Sequence, residues 1–363
     1  MKHPLLTALF LGAGLACAQP RRIAVETHPT VDVISTLFNQ ISPEFLPDSA
    51  ADPWLYRHTR LMRANYDFFK PFGDHPAVAA TRHLGKQLGT GVYLLGLYYD
   101  LADGPKPRHP VAPLLLEAVH PNPDSARRRL DDYMALVGRF ARETPVDSFF
   151  RTYRPVADAA LGDIRRHLPD DRFLPRLEGY YGSRKAGYTL IAMPFFKAQW
   201  GMGWSVTDGP REYLYSIVAP FDEQVWAGRP NVAKSGYANA EQIRNWCVHE
   251  FGHSFVNPLT AREPHASAIA RHKHLFRPIA NQGQYSDWAT VFNEYVVRAG
   301  EIQMAEGAGR PAEAERLRVQ YRDWTYLPYF TRQLTYYQAH RKRYPTFETF
   351  LPTLIAGLAS LEP

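Results

Sequence analysis

The chain has 363 residues and carries 42 Lys and Arg against 36 Asp and Glu, a formal net charge of +6. That excess is modest for the length, and no nucleic-acid motif accompanies it, so a specific nucleic-acid binder is not expected. Two cysteines exclude both a disulfide-built scaffold and a C-x-x-C zinc finger, while 45% hydrophobic residues suffice for a sizeable core.

Met1-Lys2-His3 forms a short basic start, residues 5–15 are apolar, and Ala16-Cys17-Ala18 is an A-x-A pattern. These features predict a signal peptide over 1–18, cleaved after Ala18, and a chain exported to the periplasm or beyond. Lipidation of Cys17 is the alternative; the usual lipobox leucine would stand where Gly14 stands. Cleavage leaves Cys247 as the sole cysteine, and its position suggests a small buried hydrophobe. No later stretch offers about twenty apolar residues, so no transmembrane segment is expected.

Two parts follow, a mainly helical one over 19–180 and a second over 181–363. Short helices are expected at 31–41, 53–69, 125–143 and 146–168, separated by prolines. The arginine runs Arg127-Arg128-Arg129 and Arg341-Lys342-Arg343 lie in such helical patterns and read as solvated faces. Residues 188–193 and 213–218 are rich in β-formers, and Thr207-Asp208-Gly209-Pro210 between them is a turn signal. A β-hairpin or small antiparallel sheet is therefore expected there. The fold class is α+β, predominantly helical.

His249-Glu250-Phe251-Gly252-His253 is an H-E-x-x-H motif. Residues four apart share a helix face, so two imidazoles can converge on one metal ion, with Glu250 beside them as a base. The chain's own His and Glu frequencies give roughly 0.03 such motifs by chance. Asn239 with Gln242 three residues on suggests a capping box. Ile243, Cys247, Phe251 and Phe255 recur as an apolar stripe, and Pro258 is expected to end the helix.

A catalytic zinc usually has three protein ligands. The metzincin positions for a glycine and third histidine hold Val256 and Leu259, which excludes that arrangement. The favoured third ligand is Glu294, alone in an apolar run on a second helix that Ser286 can cap, with Asp287 suiting its positive end. The competing reading of Glu294 is an i,i+4 ion pair with Arg298. His265, His272, His274 and Asp287 are rival ligands, although the three histidines lie in a polar stretch that reads as a solvated loop.

HEFGHSFVNP over 249–258, followed by NEYVVRA from Asn293, resembles the zincin superfamily of metallopeptidases, and within it the gluzincin type. It is most similar to a family of secreted bacterial zincin-like proteins that carries a domain of unknown function. Tyr326-Leu327-Pro328 and Tyr344-Pro345-Thr346-Phe347 add to that resemblance, which covers the second half well and the first half weakly. Gluzincins often carry an Asp four residues after the glutamate ligand; here Arg298 stands there, so a partner for a zinc histidine must come from elsewhere.

The resemblance implies a secreted zinc metallopeptidase acting on peptides or proteins. His249, His253 and Glu294 would hold Zn²⁺, Glu250 would be the general base, and Tyr326 is a candidate donor to the oxyanion. The rival readings are a zincin-like binding protein without hydrolysis and a hydrolase of a non-peptide amide.

Overall fold

In the computed structural model, residues 22–42, 50–51, 53–101, 106–226, 232–277 and 287–361 are described. The expected signal peptide and Ser286 lie outside them.

The chain opens with β1 (Ala24–Glu26) and α1 (Pro29–Ile41), followed by α2 (Pro53–His58), α3 (Arg60–Phe69) and α4 (Pro76–Leu88). A 3-10 stretch over Gly89–Leu97 leads to the short strands β2 (Tyr99–Asp100) and β3 (Lys106–Pro107). Then come α5 (Pro113–Val119), α6 (Pro123–Glu143), α7 (Val146–Thr152), α8 (Arg154–His167) and α9 (Phe173–Tyr181). The middle holds β4 (Gly187–Ala192), β5 (Gly201–Asp208), β6 (Arg211–Val218), β7 (Gln224–Trp226) and β8 (Val232–Ser235). The rest is α10 (Ala240–Thr260), α11 (His265–Ala270), α12 (Trp288–Gly307), α13 (Pro311–Gln320), α14 (Leu327–Ala339) and α15 (Phe347–Ala356).

The fold is α+β and predominantly helical, as expected. Many of the prolines between predicted helices open the next helix, as in α1, α4, α5 and α6. The missing N–H costs nothing in a first turn. The helix expected over 53–69 breaks at Thr59, and that over 146–168 at Tyr153, where Pro155 begins the first turn of α8. Among the described residues no helix is long and apolar enough to cross a membrane.

The main sheet departs from the expected antiparallel arrangement. Its order is β1-β4-β6-β5, with β1–β4 and β4–β6 parallel and only β5–β6 antiparallel. Residues 188–193 and 213–218 thus run side by side in parallel. The hairpin partner of β6 is β5, reached through Gly209 at φ 57°. β5 carries Gly201 and Gly203, weak strand formers that hide it from a propensity reading.

The sheet separates two cores. Leu190, Leu214 and Val218 face one that includes α10, α12, α14 and α15. Ile191, Val206 and Ile217 face the other, filled from α1, α4 and α6. Strands buried on both faces carry near-continuous apolar runs, which is why 188–193 lacks alternation.

Candidate metal centre

α10 forms where expected. The Asn239 side chain accepts from the Gln242 backbone N–H at 3.1 Å, satisfying an orphan donor of the first turn. Ile243, Cys247, Phe251 and Phe255 are buried, as the stripe requires. Burial pushes the Cys247 thiol well up, so it stays protonated in the core. Pro258 does not end the helix, which continues to Thr260. It removes a single backbone bond in the last turn, and Phe255, Val256 and Thr260 stay buried around it.

α12 begins at a different cap from the expected one. Asp287 itself is the N-cap, accepting from the Thr290 N–H at 2.9 Å and from its hydroxyl at 2.6 Å. This helix packs along α10 and presents Glu294, 4% exposed, to its motif face.

His249, His253 and Glu294 come together, each offering a ligand atom within 4.8 Å of the others. The two Nε2 atoms are 3.1 Å apart. Glu294 Oε1 lies 3.2 Å from His253 Nε2, and Oε2 lies 3.7 Å from His249 Nε2. Tetrahedral ligands bonded at 2.0–2.1 Å to one zinc ion stand about 3.3 Å apart. The donor set therefore matches the spacing zinc requires.

Tautomers support the same fit. His249 Nδ1 donates to Glu301 Oε1 at 3.0 Å, and His253 Nδ1 donates to Asn257 Oδ1 at 3.2 Å. With Nδ1 protonated on each ring, Nε2 is the atom that each ring turns inward. The 3.1 Å contact between the two Nε2 atoms is then bridged by a proton on one of them or by a cation. Glu294 Oε2 is buried and makes no hydrogen bond, although the Arg298 guanidinium pairs with it at 3.0 Å. The ion pair and the ligand grouping, alternatives in the sequence, coexist.

Charges in the cluster are strongly shifted. Burial opposes a charge on His249, but the carboxylates of Glu301, Glu294 and Glu250 outweigh it and raise the imidazole to about 9. Burial also pushes Glu294 upward, yet His249, His253 and Arg298 bring it down to about 2. Glu250 is raised, chiefly by burial. A raised carboxylate beside a candidate metal centre suits proton transfer near neutral pH.

Several participants escaped the sequence reading. Glu301 accepts a hydrogen bond from His249 Nδ1 and another from the Tyr321 hydroxyl at 2.6 Å. It stands seven residues, two turns, beyond Glu294, a spacing that puts both on one face. The Arg298 guanidinium lies 4.4 Å from the Tyr321 ring centroid and 4.5 Å from that of Trp324. Burial and Glu301 raise the Tyr321 hydroxyl well above its ordinary range, so it remains a donor.

Gly203 of β5 packs on the backbone of Glu250, where a Cβ would stand 1.8 Å from the carbonyl oxygen. The glycines that hide this strand from propensity are what let it approach α10.

Tyr326 is not brought to the cluster among the described residues. It precedes α14 and packs on Tyr295, ring centroids 6.0 Å apart. Nor do the rival ligands join it. His265 Nδ1 is 3.1 Å from the Leu259 carbonyl, and the stretch expected to be a solvated loop contains α11 and buries Ile269 and Leu275. A cavity of about 150 Å³ flanks Ser254, Phe255 and Leu259 of α10, with Lys185 and Glu212 in its wall, and none of the four motif side chains lines it.

The model of the family described as a domain of unknown function, DUF4932, matches residues 116–357. The chain belongs to this family. The match contains all the residues of the cluster and begins well upstream of β4. No curated protein and no solved structure matches the chain.

Proposed function

We propose that this member of the DUF4932 family is an exported zinc-dependent metallopeptidase of the gluzincin type. The observation that carries the reading is the convergence of both Nε2 atoms and the Glu294 carboxylate at zinc-ligand spacing. His249, His253 and Glu294 would hold the ion. When bound, zinc would lower the pKa of a coordinated water to about 7 and polarise the scissile carbonyl. Glu250 would accept a proton from the attacking water and return it to the leaving amine. Glu301 and Asn257 fix the two imidazoles with Nε2 turned inward. Arg298 holds the outer oxygen of Glu294.

A peptide substrate suits the strand beside the cluster. β5 is an edge strand, and Gly203 seats it against Glu250. An extended peptide pairing with such an edge gains main-chain hydrogen bonds and lies across the motif helix. The test is metal analysis combined with a peptide-library digest, with and without chelator. Stoichiometric zinc and chelator-sensitive cleavage are expected. Zinc retention by His249→Ala, or cleavage unaffected by metal removal, would overturn the reading. Zinc binding without cleavage would assign a binding protein instead.

A further inference from the structure

A second cavity, of about 360 Å³, opens among α12, α14 and the segment that joins α13 to α14. Its apolar wall includes Ile302, Tyr321, Trp324 and Leu327, and three guanidinium groups stand in its lining, those of Arg318, Arg322 and Arg332. Among the described residues no carboxylate lines it. Arg318 is engaged by Glu306 and Glu315. Among the described residues the carboxylate paired with Arg322 is that of Asp323 at 3.9 Å, with both side chains more than 70% exposed. Among the described residues no carboxylate lies within ion-pair distance of Arg332. An apolar hollow lined by guanidinium groups that are exposed and only partly paired suits a ligand with an apolar body and one anionic end.

The wall of this cavity also supports the candidate metal centre. The Tyr321 hydroxyl donates to Glu301, which orients His249. The Tyr321 and Trp324 rings flank Arg298, which pairs with Glu294. Two of the three candidate ligands are thus held by groups that rest on the cavity's own rings.

We infer that the cavity binds small amphiphilic carboxylates and that its occupancy sets the zinc affinity of the centre. The first half stands on the cavity alone; the second rests on the function proposed above. An occupant bears on Tyr321 and Trp324, and any shift of those rings reaches Glu301 and Arg298 directly.

The test uses decanoate as probe, with decanol and decyltrimethylammonium as neutral and cationic controls. In calorimetric titrations of the metal-free protein, decanoate should bind saturably and at least about tenfold more tightly than either control. The Arg322→Glu/Arg332→Glu double variant should lose at least about tenfold in decanoate affinity, with a wild-type melting temperature because both side chains are exposed. Thr331→Trp, which fills the cavity from α14, should abolish binding. Equal binding of decanoate and decanol, or undiminished binding by the double variant, overturns the site. Saturating decanoate should change zinc affinity by about fivefold or more. An unchanged zinc affinity overturns the coupling. Failure to bind zinc at all sinks the metal reading and the coupling together, whereas the metal-free titration decides the carboxylate site by itself.

Discussion

Glu301→Gln separates charge from shape in the layer behind the candidate ligands. The amide oxygen can still accept the His249 proton, and the amide N–H can donate to a rotated Tyr321 hydroxyl. No buried group is left without a partner; only the negative charge is lost. Hydrogen bonds to a charged acceptor contribute about 1.5–3 kcal/mol and neutral ones about 0.5–1.5, so the change removes roughly 1–1.5 kcal/mol of support for His249. That corresponds to about a tenfold weaker zinc affinity, within the 10–100-fold range for outer-layer partners. Glu301→Ala differs in kind. It strands the part-buried His249 Nδ1–H and the buried Tyr321 hydroxyl, at about 1–3 kcal/mol for the latter and less for the former. Its zinc affinity should fall toward 100-fold, with a clear loss of unfolding free energy. Competitive zinc titration against a chromophoric chelator measures the first quantity, and urea unfolding of the metal-free protein measures the second. If Glu301→Gln binds zinc as the wild type does while His249→Ala does not, Glu301 does not orient the ligand. If Glu301→Ala is as stable as Glu301→Gln, the two donors were not held as described.

Three other outcomes are expected. Glu250→Gln should keep its zinc and its melting temperature but lose about 10²–10⁴-fold in cleavage rate, measured on any peptide the wild type cuts; zinc loss would make Glu250 a ligand. Gly203→Ala places a Cβ against the backbone of Glu250, which cannot swing away, and should cost about 1–3 kcal/mol in urea unfolding, with wild-type stability contradicting the close approach. Burial, aided by Arg108, lowers His28 from 6.5 to about 4. The unfolded chain then binds the extra proton first. The stability His28 contributes is nearly intact above pH 6.5 and lost as pH falls toward 4, by roughly 1.5 kcal/mol between pH 6.5 and 5. Denaturation of wild type and His28→Gln at both pH values checks this, since the variant should lose that much less.

The parts of the centre set by helical spacing were legible in the sequence. His249 and His253 are four apart, and Glu294 is the lone acid in an apolar run, so burial and period together single them out. Asn239 declared its helix start by capping chemistry. The layer behind them was harder to read. Glu301 matters because α12 lies along α10, and the angle between two helices is not written in either one. Tyr321 and Trp324 were two aromatics among many, and only their position over Arg298 distinguishes them. Tyr326 was favoured for chemistry alone, and packing turned it toward Tyr295 instead. The sheet was misread where glycine serves proximity, since β5 gives up strand propensity to lie on α10. Its parallel pairs were invisible because parallel register depends on partners far away in the chain.

β1 is three residues long and pairs with β4 through Ala24 and Thr189, on the far side of five hundred ångströms or so of extended backbone. Ribosomal synthesis delivers this edge of the sheet first and its neighbour only after the helical layer between them has been made. The sheet therefore cannot close early. The same geometry makes the two halves each other's chaperone: without the first helical layer, Ile191, Val206 and Ile217 would face water as a greasy plate. A chain nicked between α9 and β4 should hold together as a stable pair of fragments, and neither piece expressed alone should remain dispersed.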